Sequence, residues 1–556
     1  MNEYLEVRTE TDSDPNMTSV ASLPCVDAYP PATHNKDAQH TAYMSKLTKW
    51  WSDDEEAVLR RKLDVRLVTT SFFLFLCAIL DRSNLGNAKV AGMERSLHMS
   101  DKQFQWLLTI FYIAYIIFQF SILAYKIVPP RVWLALCAVA WGITGICQAA
   151  TTSWEGMMIA RFCLGVSESG FGTGWALYLS FFYPKSEIGL RFAIYVSAGT
   201  LAAAVAGSMA YGIVHAHTSI ESWRLLFLLE GIPTLIMAPI AYFVLPNSIQ
   251  TASFLTDREK AIAEARLFRP PPIEAWNAVK PHTSLCSRAK EELRWPKIAA
   301  LFMDPTTLIS SILLFISQTG SATFPVYVPT LLSEMGYGGI RAQGLSAPPY
   351  LLACAITLLG CWLTDRYQVR GPVFAFFICT GAIGYLMLAC LRATTARYLA
   401  IWIIINGMFP ALPVLYMWLM ANQDSERKTG LGLVIFATVG QCGPLLPARL
   451  FPASDKPYYV KGTAISAALL FVGVLMSAGL SYRFWRINRR RDRQDAALDE
   501  RGSVDGGEVA GEESRARKDD EENSKAVDNT TLSEADRRKI DVLLRGDESP
   551  YFRYTI

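Results

Sequence analysis

Long apolar stretches alternate with short polar ones along most of this chain. A helix crossing a hydrocarbon core about 30 Å thick needs roughly 20 apolar residues. Twelve stretches meet that length, near 66–84, 104–124, 131–150, 156–182, 190–214, 224–245, 306–333, 345–364, 371–391, 397–420, 430–451 and 462–484. They are called spans 1 to 12 in that order. Inside a bilayer every backbone N–H and C=O must be satisfied within its own segment, so apolar runs of this length are helices. Polar stretches cover 1–65, 246–305 and 485–556. The middle one divides the spans six and six, into a first bundle over 66–245 and a second over 306–484. The pattern predicts an all-α membrane protein of twelve transmembrane helices in two six-helix bundles.

The polar segments carry the signals for orientation and local structure. Lys46, Lys49, Arg60, Arg61, Lys62 and Arg66 precede span 1. The central loop holds Arg258, Lys260, Arg266, Arg269, Arg288, Lys290, Arg294 and Lys297, and Arg486 to Arg493 follow span 12. An even number of spans separates these regions, and Lys and Arg favour the cytoplasm, so both termini and the central loop are expected there. The loop after span 1, with Lys89, Arg95 and Lys102, is a mild exception. In the central loop, Thr256 with Glu259 three residues on forms a capping box for a short surface helix, which Pro270-Pro271-Pro272 should end. The tail from 498 lacks the apolar content for a core and is expected to be disordered. Phe552-Arg553-Tyr554 near its end is more apolar than its surroundings, an unstructured end or a docking element. The first 65 residues contain no signal-peptide core, so span 1 is expected to act as an uncleaved targeting signal.

Composition agrees with this reading. Of 556 residues, 51% are hydrophobic and 19% charged, against about a quarter charged in soluble domains. A net charge of +3 gives no field for nucleic acid, and no nucleic-acid partner is expected. Nine of the eleven cysteines lie in apolar segments without metal spacing and read as small buried hydrophobes. Cys25 and Cys286 are isolated, so no disulfide framework is implied.

Charges inside the apolar spans are the candidate chemistry. Each costs roughly 2.5–3.5 kcal/mol on insertion scales, so such residues face a bundle interior or an aqueous cavity. Asp81-Arg82 closes span 1, and Arg161 and Glu168 lie in span 4. The latter two, seven residues apart, share a helix face at a separation of about 10 Å. Arginine presents a planar fork that matches a carboxylate. A carboxyl in a dry cavity beside an arginine is pulled towards both protonation states and is suited to a proton-coupled switch. A charge network that only braces the helices is the alternative. Gln441 in span 11, among Gly440, Gly443 and Pro444, sits where a helix can bend at a cavity and is either a substrate contact or an interhelical hydrogen bond. Asp365 and Arg366 after span 8 read as a gate, whereas Asn422, Gln423 and Arg427 read as packing at the end of span 10. The small residues Gly165, Ser169 and Thr173, and Gly170 and Gly174, recur every four positions and read as close helix packing. Tyr112 and Tyr115 read as aromatic filler. A P-loop, an H-E-x-x-H and a G-x-S-x-G are all missing, so an enzyme and ATP-driven transport are disfavoured.

Several runs carry a family resemblance over roughly 45–485. They include Leu80-Asp81-Arg82-Ser83-Asn84-Leu85-Gly86-Asn87-Ala88, Arg161 to Gly170, and Trp223-Arg224-Leu225-Leu226-Phe227 leading into Glu230-Gly231-Ile232-Pro233-Thr234. In the second half they include Pro348-Pro349-Tyr350, Asp365-Arg366, Trp418, Asn422, Arg427 and Tyr459-Val460-Lys461-Gly462. The chain resembles fungal allantoate-permease-like carriers of the anion:cation symporter family, in the major facilitator superfamily. Two departures stand out: span 2 reads Phe118-Gln119-Phe120-Ser121-Ile122-Leu123 where such carriers have Phe-Glu-x-Pro-Ser-Asn, and Thr173 replaces a proline.

The resemblance implies a monomeric secondary transporter of a small organic anion, with a proton as coupling ion and no cofactor or metal. Asp81 and Glu168 are then proton sites and Arg82 and Arg161 substrate contacts; Gln441 is added to the contacts from its place at the span 11 bend, Asp365 and Arg366 echo a superfamily gating motif, and Arg427 stands as a gate or as packing beside them. Family substrates include allantoate, ureidosuccinate, nicotinate, pantothenate, biotin and small peptides. The plasma membrane is the expected location, with an internal membrane as alternative. A non-transporting nutrient receptor and an exporter of an organic acid are the rival functions.

Overall fold

The computed structural model describes residues 50–215, 220–267, 304–322, 324–337, 339–423, 426–451, 455–516 and Thr555. Residues 1–51 form a unit of their own, of which only Trp50 and Trp51 are described. Ser52–Ile556 is the second unit, and every span lies within it. Among the described residues the regular structure is all helix. Nine helices there are long and apolar enough to cross a membrane, covering spans 1, 3, 5, 6, 7, 8, 9, 10 and 12. Their outer faces carry large apolar side chains such as Phe243, 82% exposed, and Leu475, 73% exposed, a surface suited to lipid rather than water.

Spans 2, 4 and 11 are interrupted instead. Span 2 runs as Asp101–Ile117, then tightens into a 3-10 turn over Gln119–Leu123. Span 4 runs as Trp154–Glu168 and resumes at Gly174–Leu179. Span 11 runs as Glu426–Gly440, followed by a 3-10 turn at Gly443–Leu445. The last break has a local cause, since Pro444 has no N–H to donate. The breaks in spans 2 and 4 support one another: the Ser169 hydroxyl lies 3.2 Å from Phe118 O and 2.8 Å from Val166 O. Side-chain hydroxyls of this kind re-satisfy carbonyls freed by a broken membrane helix. Span 2 therefore breaks although the expected proline is absent.

The small-residue rows of span 4 pack as expected. A Cβ on Gly165 would stand 2.4 Å from Phe111 O of span 2, and one on Gly174 would stand 2.4 Å from the Tyr125 ring. Only glycine permits those approaches.

Both surface helices gather at one end of the molecule, termed the linker end. The predicted capping box is present, with Thr256 N donating to Glu259 Oε2 at 2.9 Å and Glu259 N to Thr256 Oγ1 at 3.3 Å. Its helix runs Asp257–Leu267; the prolines from Pro270 lie outside the described residues. A second surface helix, Asp53–Leu63, opens with a Ser52–Glu55 capping box inside the segment read as merely polar. It continues through a π turn, Asp64–Val68, into Thr69–Val90. Lys62–Glu259 at 2.6 Å and Arg258–Glu55 at 2.6 Å join the two surface helices. Arg191 of span 5 adds a two-pronged pair with Asp64 at 2.5 and 3.0 Å.

At the far end, Lys89 pairs with Glu94 and Asp101, each at 3.0 Å. This neutralises part of the loop that ran against the charge rule. Arg224 donates to Ala149 O at 2.7 Å and Thr151 O at 2.8 Å, tying span 6 to the loop between spans 3 and 4.

One expectation about the tail changes, and a second falls mostly outside the described residues. Span 12 continues as one helix, Val460–Ala516, past the point where disorder was expected. A helix already nucleated in the membrane extends without the cost of a new nucleus. Phe552, Arg553 and Tyr554 lie outside the described residues, but Thr555 is docked. Its N–H donates to Asn422 Oδ1 at 2.7 Å, and its carbonyl accepts from Asn422 Nδ2 at 3.1 Å and Trp418 Nε1 at 2.9 Å.

Candidate functional site

A cavity of about 140 Å3 lies between the bundles, lined by residues of spans 1, 2, 4 and 5 on one side and 7, 10 and 11 on the other. The bundles touch at both ends of it. Towards the far end, a Cβ on Gly86 of span 1 would stand 2.3 Å from Val326 O, and Arg449 stacks on Trp106 at 4.4 Å. Towards the linker end, Phe192 and Tyr416 stack at 5.1 Å and the Thr173 and Tyr416 hydroxyls approach to 3.5 Å.

All the charge at the cavity wall belongs to the first bundle, in Arg82 and Arg161. Arg82 Nε donates to Glu168 Oε2 at 2.5 Å, an ion pair between spans 1 and 4. The Arg82 guanidinium also lies over the Tyr115 ring at 4.8 Å and the Phe111 ring at 5.2 Å. Desolvated cation–π contacts of this kind contribute about 2 kcal/mol. Arg82 keeps partial access, 19% exposed, while Glu168 is 1% exposed. The spacing argument set Glu168 and Arg161 too far apart for direct contact, and the partner of Glu168 is Arg82 from another helix.

Asp81 and Arg82 diverge, as neighbours about 100° apart on a helix must. Asp81 is 1% exposed, and its carboxylate lies against span 3 outside the Arg82–Glu168 ion pair. A Cβ on Gly145 of span 3 would stand 3.4 Å from Asp81 Oδ1 and 3.6 Å from Gly231 Cα of span 6. Arg161, 2% exposed, spans the gap: its Nη1 is 3.4 Å from Asp81 O, and its guanidinium lies 5.5 Å from the Phe227 ring. Its Nε and Nη2 are buried and have no acceptor. Those two N–H groups form the edge that takes a carboxylate bidentately.

The second bundle faces the same space with neutral groups. Gln441 stands at the break in span 11, is 4% exposed, lines the cavity, and has an Oε1 without a donor. Gln318, Ser321 and Tyr416 complete that side. Tyr112 and Tyr115, expected as filler, are cavity wall, and the Tyr112 hydroxyl lies 3.5 Å from Ala322 O across the bundle interface.

The gate candidates separate. Asp365 reaches the first bundle, since a Cβ on Gly189 at the start of span 5 would lie 2.7 Å from its Oδ1. Its ion-pair partner is Arg370 at 3.3 Å, which also donates to Met417 O at 2.9 Å. Arg366, the sequence candidate, is exposed. A helix ending at Tyr367 turns Arg370 back and leaves Arg366 outward. The Arg427 side chain lies outside the described residues. Gln423 bonds Thr307 Oγ1 at 3.3 Å, the packing role expected of it. Gln119, where the family acid is missing, is fully buried with both amide atoms unpartnered.

Sequence reasoning passed over Glu230. It is 1% exposed with neither oxygen hydrogen-bonded. In the sequence it stands inside a family-like run and draws no separate notice, although an acid well inside an apolar span is the same kind of signal that singles out Glu168.

Two helical bundles around a buried, charged midplane cavity define a membrane transporter. The chain belongs to the Major Facilitator Superfamily, whose family model matches residues 71–448. Among curated relatives, the MFS-type transporter efuF of Hormonema carpetanum is 27% identical over 451 residues, 80% of this chain and 89% of that one. The high-affinity nicotinic acid transporter of Saccharomyces cerevisiae is 26% identical over 448 residues, 80% of each chain. Among solved structures, a D-xylose-proton symporter superposes with a TM-score of 0.54 at 15% identity, covering 75% of this chain and 97% of that one. That likeness is one of fold.

Proposed function

We propose that this chain is a proton-coupled symporter of a small organic anion bearing a carboxylate, in the allantoate-permease-like branch of the anion:cation symporter family. The observation that carries the reading is the open Nε–Nη2 edge of Arg161, buried at the cavity beside Arg82. A desolvated guanidinium edge without an acceptor is a costly arrangement that a carboxylate relieves. The relative that carries nicotinic acid, a carboxylate, agrees with this chemistry.

In this reading the substrate carboxylate seats on Arg161 and competes with Glu168 for Arg82. Glu168 takes a proton when it loses its arginine. Tyr112, Tyr115 and Gln441 close around the rest of the molecule. The loaded bundles then rock about the midplane, and Asp365 leaving Gly189 opens the linker end. The density of Lys and Arg at that end supports a cytoplasmic orientation for it, with the plasma membrane as location.

Purified protein in liposomes with an inward proton gradient, offered labelled allantoate, nicotinate, pantothenate, biotin and a dipeptide, tests the reading. Accumulation of one of these, abolished by collapsing the gradient, is expected. Binding of a compound without accumulation would support a receptor instead.

A further inference from the structure

Span 12 leaves the membrane at the linker end. Its Phe484 ring meets Trp418 of span 10 at 6.0 Å, and its Ser481 faces Gly371, which opens span 9 beside the Asp365–Arg370 pair. The helix does not stop there but runs on within Val460–Ala516. Between residues 481 and 494 it carries six arginines and one acid, Asp492.

Successive positions on a helix turn by about 100°. On that count Leu470, Ser477, Leu480 and Phe484 share one face, and each is at most 2% exposed. The opposite face carries Phe471, Leu475 and Tyr482, with Leu475 73% and Tyr482 60% exposed, so it is the side turned to lipid. Followed past Tyr482, the same face presents Trp485, Arg486, Arg489, Arg490 and Arg493, all of them exposed. The whole stripe fits within an arc of about 140°. It passes from apolar to aromatic to cationic along one line. Tyr482 and Trp485 stack at 5.8 Å, and the Arg489 guanidinium lies over the Trp485 ring at 5.1 Å.

Tyrosine and tryptophan on such a face sit at the level of the lipid headgroups. At about 1.5 Å per residue, Arg486, Arg489 and Arg490 stand about 6 to 12 Å beyond Tyr482, against a headgroup layer about 5–8 Å deep on each side. Long arginine side chains bend back across such a distance. We infer that this stripe is a binding surface for anionic phospholipid headgroups, holding the start of the C-terminal helix against the membrane surface at the linker end. The guanidinium fork matches a phosphate as it does a carboxylate. A general excess of positive charge orients a chain without regard to helix face; here four of the six arginines fall on the lipid-facing line. The inference depends neither on the transport reading nor on which leaflet the linker end meets.

The test takes the full-length protein from liposomes of equal parts phosphatidylcholine, phosphatidylethanolamine and phosphatidylserine into mild detergent and counts the retained lipids by mass spectrometry. Phosphatidylserine is expected to be enriched roughly tenfold over phosphatidylcholine, and the enrichment should vanish when Arg486→Gln, Arg489→Gln, Arg490→Gln and Arg493→Gln are combined. No preference in the wild type, or the same preference in the variant, would overturn the inference. If the variant fails to insert, the wild type alone decides. A wash in about 0.5 M salt, which screens charges beyond a few ångströms, should release phosphatidylserine and leave phosphatidylcholine; retention unchanged by salt would overturn the inference. Soluble glycerophosphoserine at the same concentration as the lipid should displace little of it. Full displacement would make this a site for free anions and overturn the membrane surface.

Discussion

The two bundles share one architecture and divide the chemistry unequally. The first places Asp81, Arg82, Arg161, Glu168 and Glu230 in its interior, whereas the second meets the same cavity with Gln318, Ser321, Tyr416 and Gln441. At the linker end the contrast reverses. The loop after span 2 follows a broken helix and a buried, unpartnered Gln119, while the loop after span 8 carries the Asp365–Arg370 pair lodged against span 5. One half therefore holds the buried ions beside the cavity, and the other meets the cavity with neutral groups and carries the Asp365–Arg370 pair. In the proposed function, rocking such halves apart moves the charge set as one body, and its pairs are rearranged by the substrate rather than by the rocking.

Variants in the two halves should differ in scale. The largest effect is expected from Glu168→Gln, which leaves Arg82 buried without a counter-charge. Breaking a buried pair costs about 3–5 kcal/mol, and gradient-driven accumulation should vanish, with counterflow exchange separating lost coupling from a lost fold. Arg161→Lys keeps the charge and removes the fork. It should weaken substrate binding by roughly 10- to 100-fold, the worth of a charge-assisted bidentate contact, read as the KM of uptake. In the second bundle, Gln441→Leu removes one neutral hydrogen bond and should cost about 2- to 10-fold in KM. A loss as large as that of Arg161→Lys would break the division between the bundles.

Much of this layout is legible in the sequence because it is local. Span length, the Thr256 capping box, the glycine row of span 4 and the presence of intramembrane charge all depend on residues within a turn or two of each other. The pairings are not. Glu168 could be placed on a helix face, but its partner Arg82 is 86 residues away. Arg370 displaces Arg366 because of where one helix ends, whereas Glu230 is legible as an acid inside an apolar span and was passed over. The break in span 2 is equally non-local, since it leans on Ser169.

Two smaller effects sharpen the comparison at the linker end. Asp365→Asn loosens the contact with span 5 and should lower the maximal uptake rate several-fold with KM within about twofold, because the latch meets span 5 and not the substrate. Thr555→Pro removes the N–H that Asn422 accepts. Its cost should stay within about 0.5–1.5 kcal/mol, seen as a small fall in melting temperature in detergent with uptake kinetics unchanged.

The central claim is that the guanidiniums of the first bundle recognise a carboxylate. Its most direct measurement is uptake of the accumulated panel compound against competition by that compound and by its uncharged primary amide, for example nicotinate against nicotinamide. The account predicts that the acid competes fully and the amide at least tenfold more weakly. Equal competition by the amide would show that Arg82 and Arg161 do not read the charge, and would contradict it.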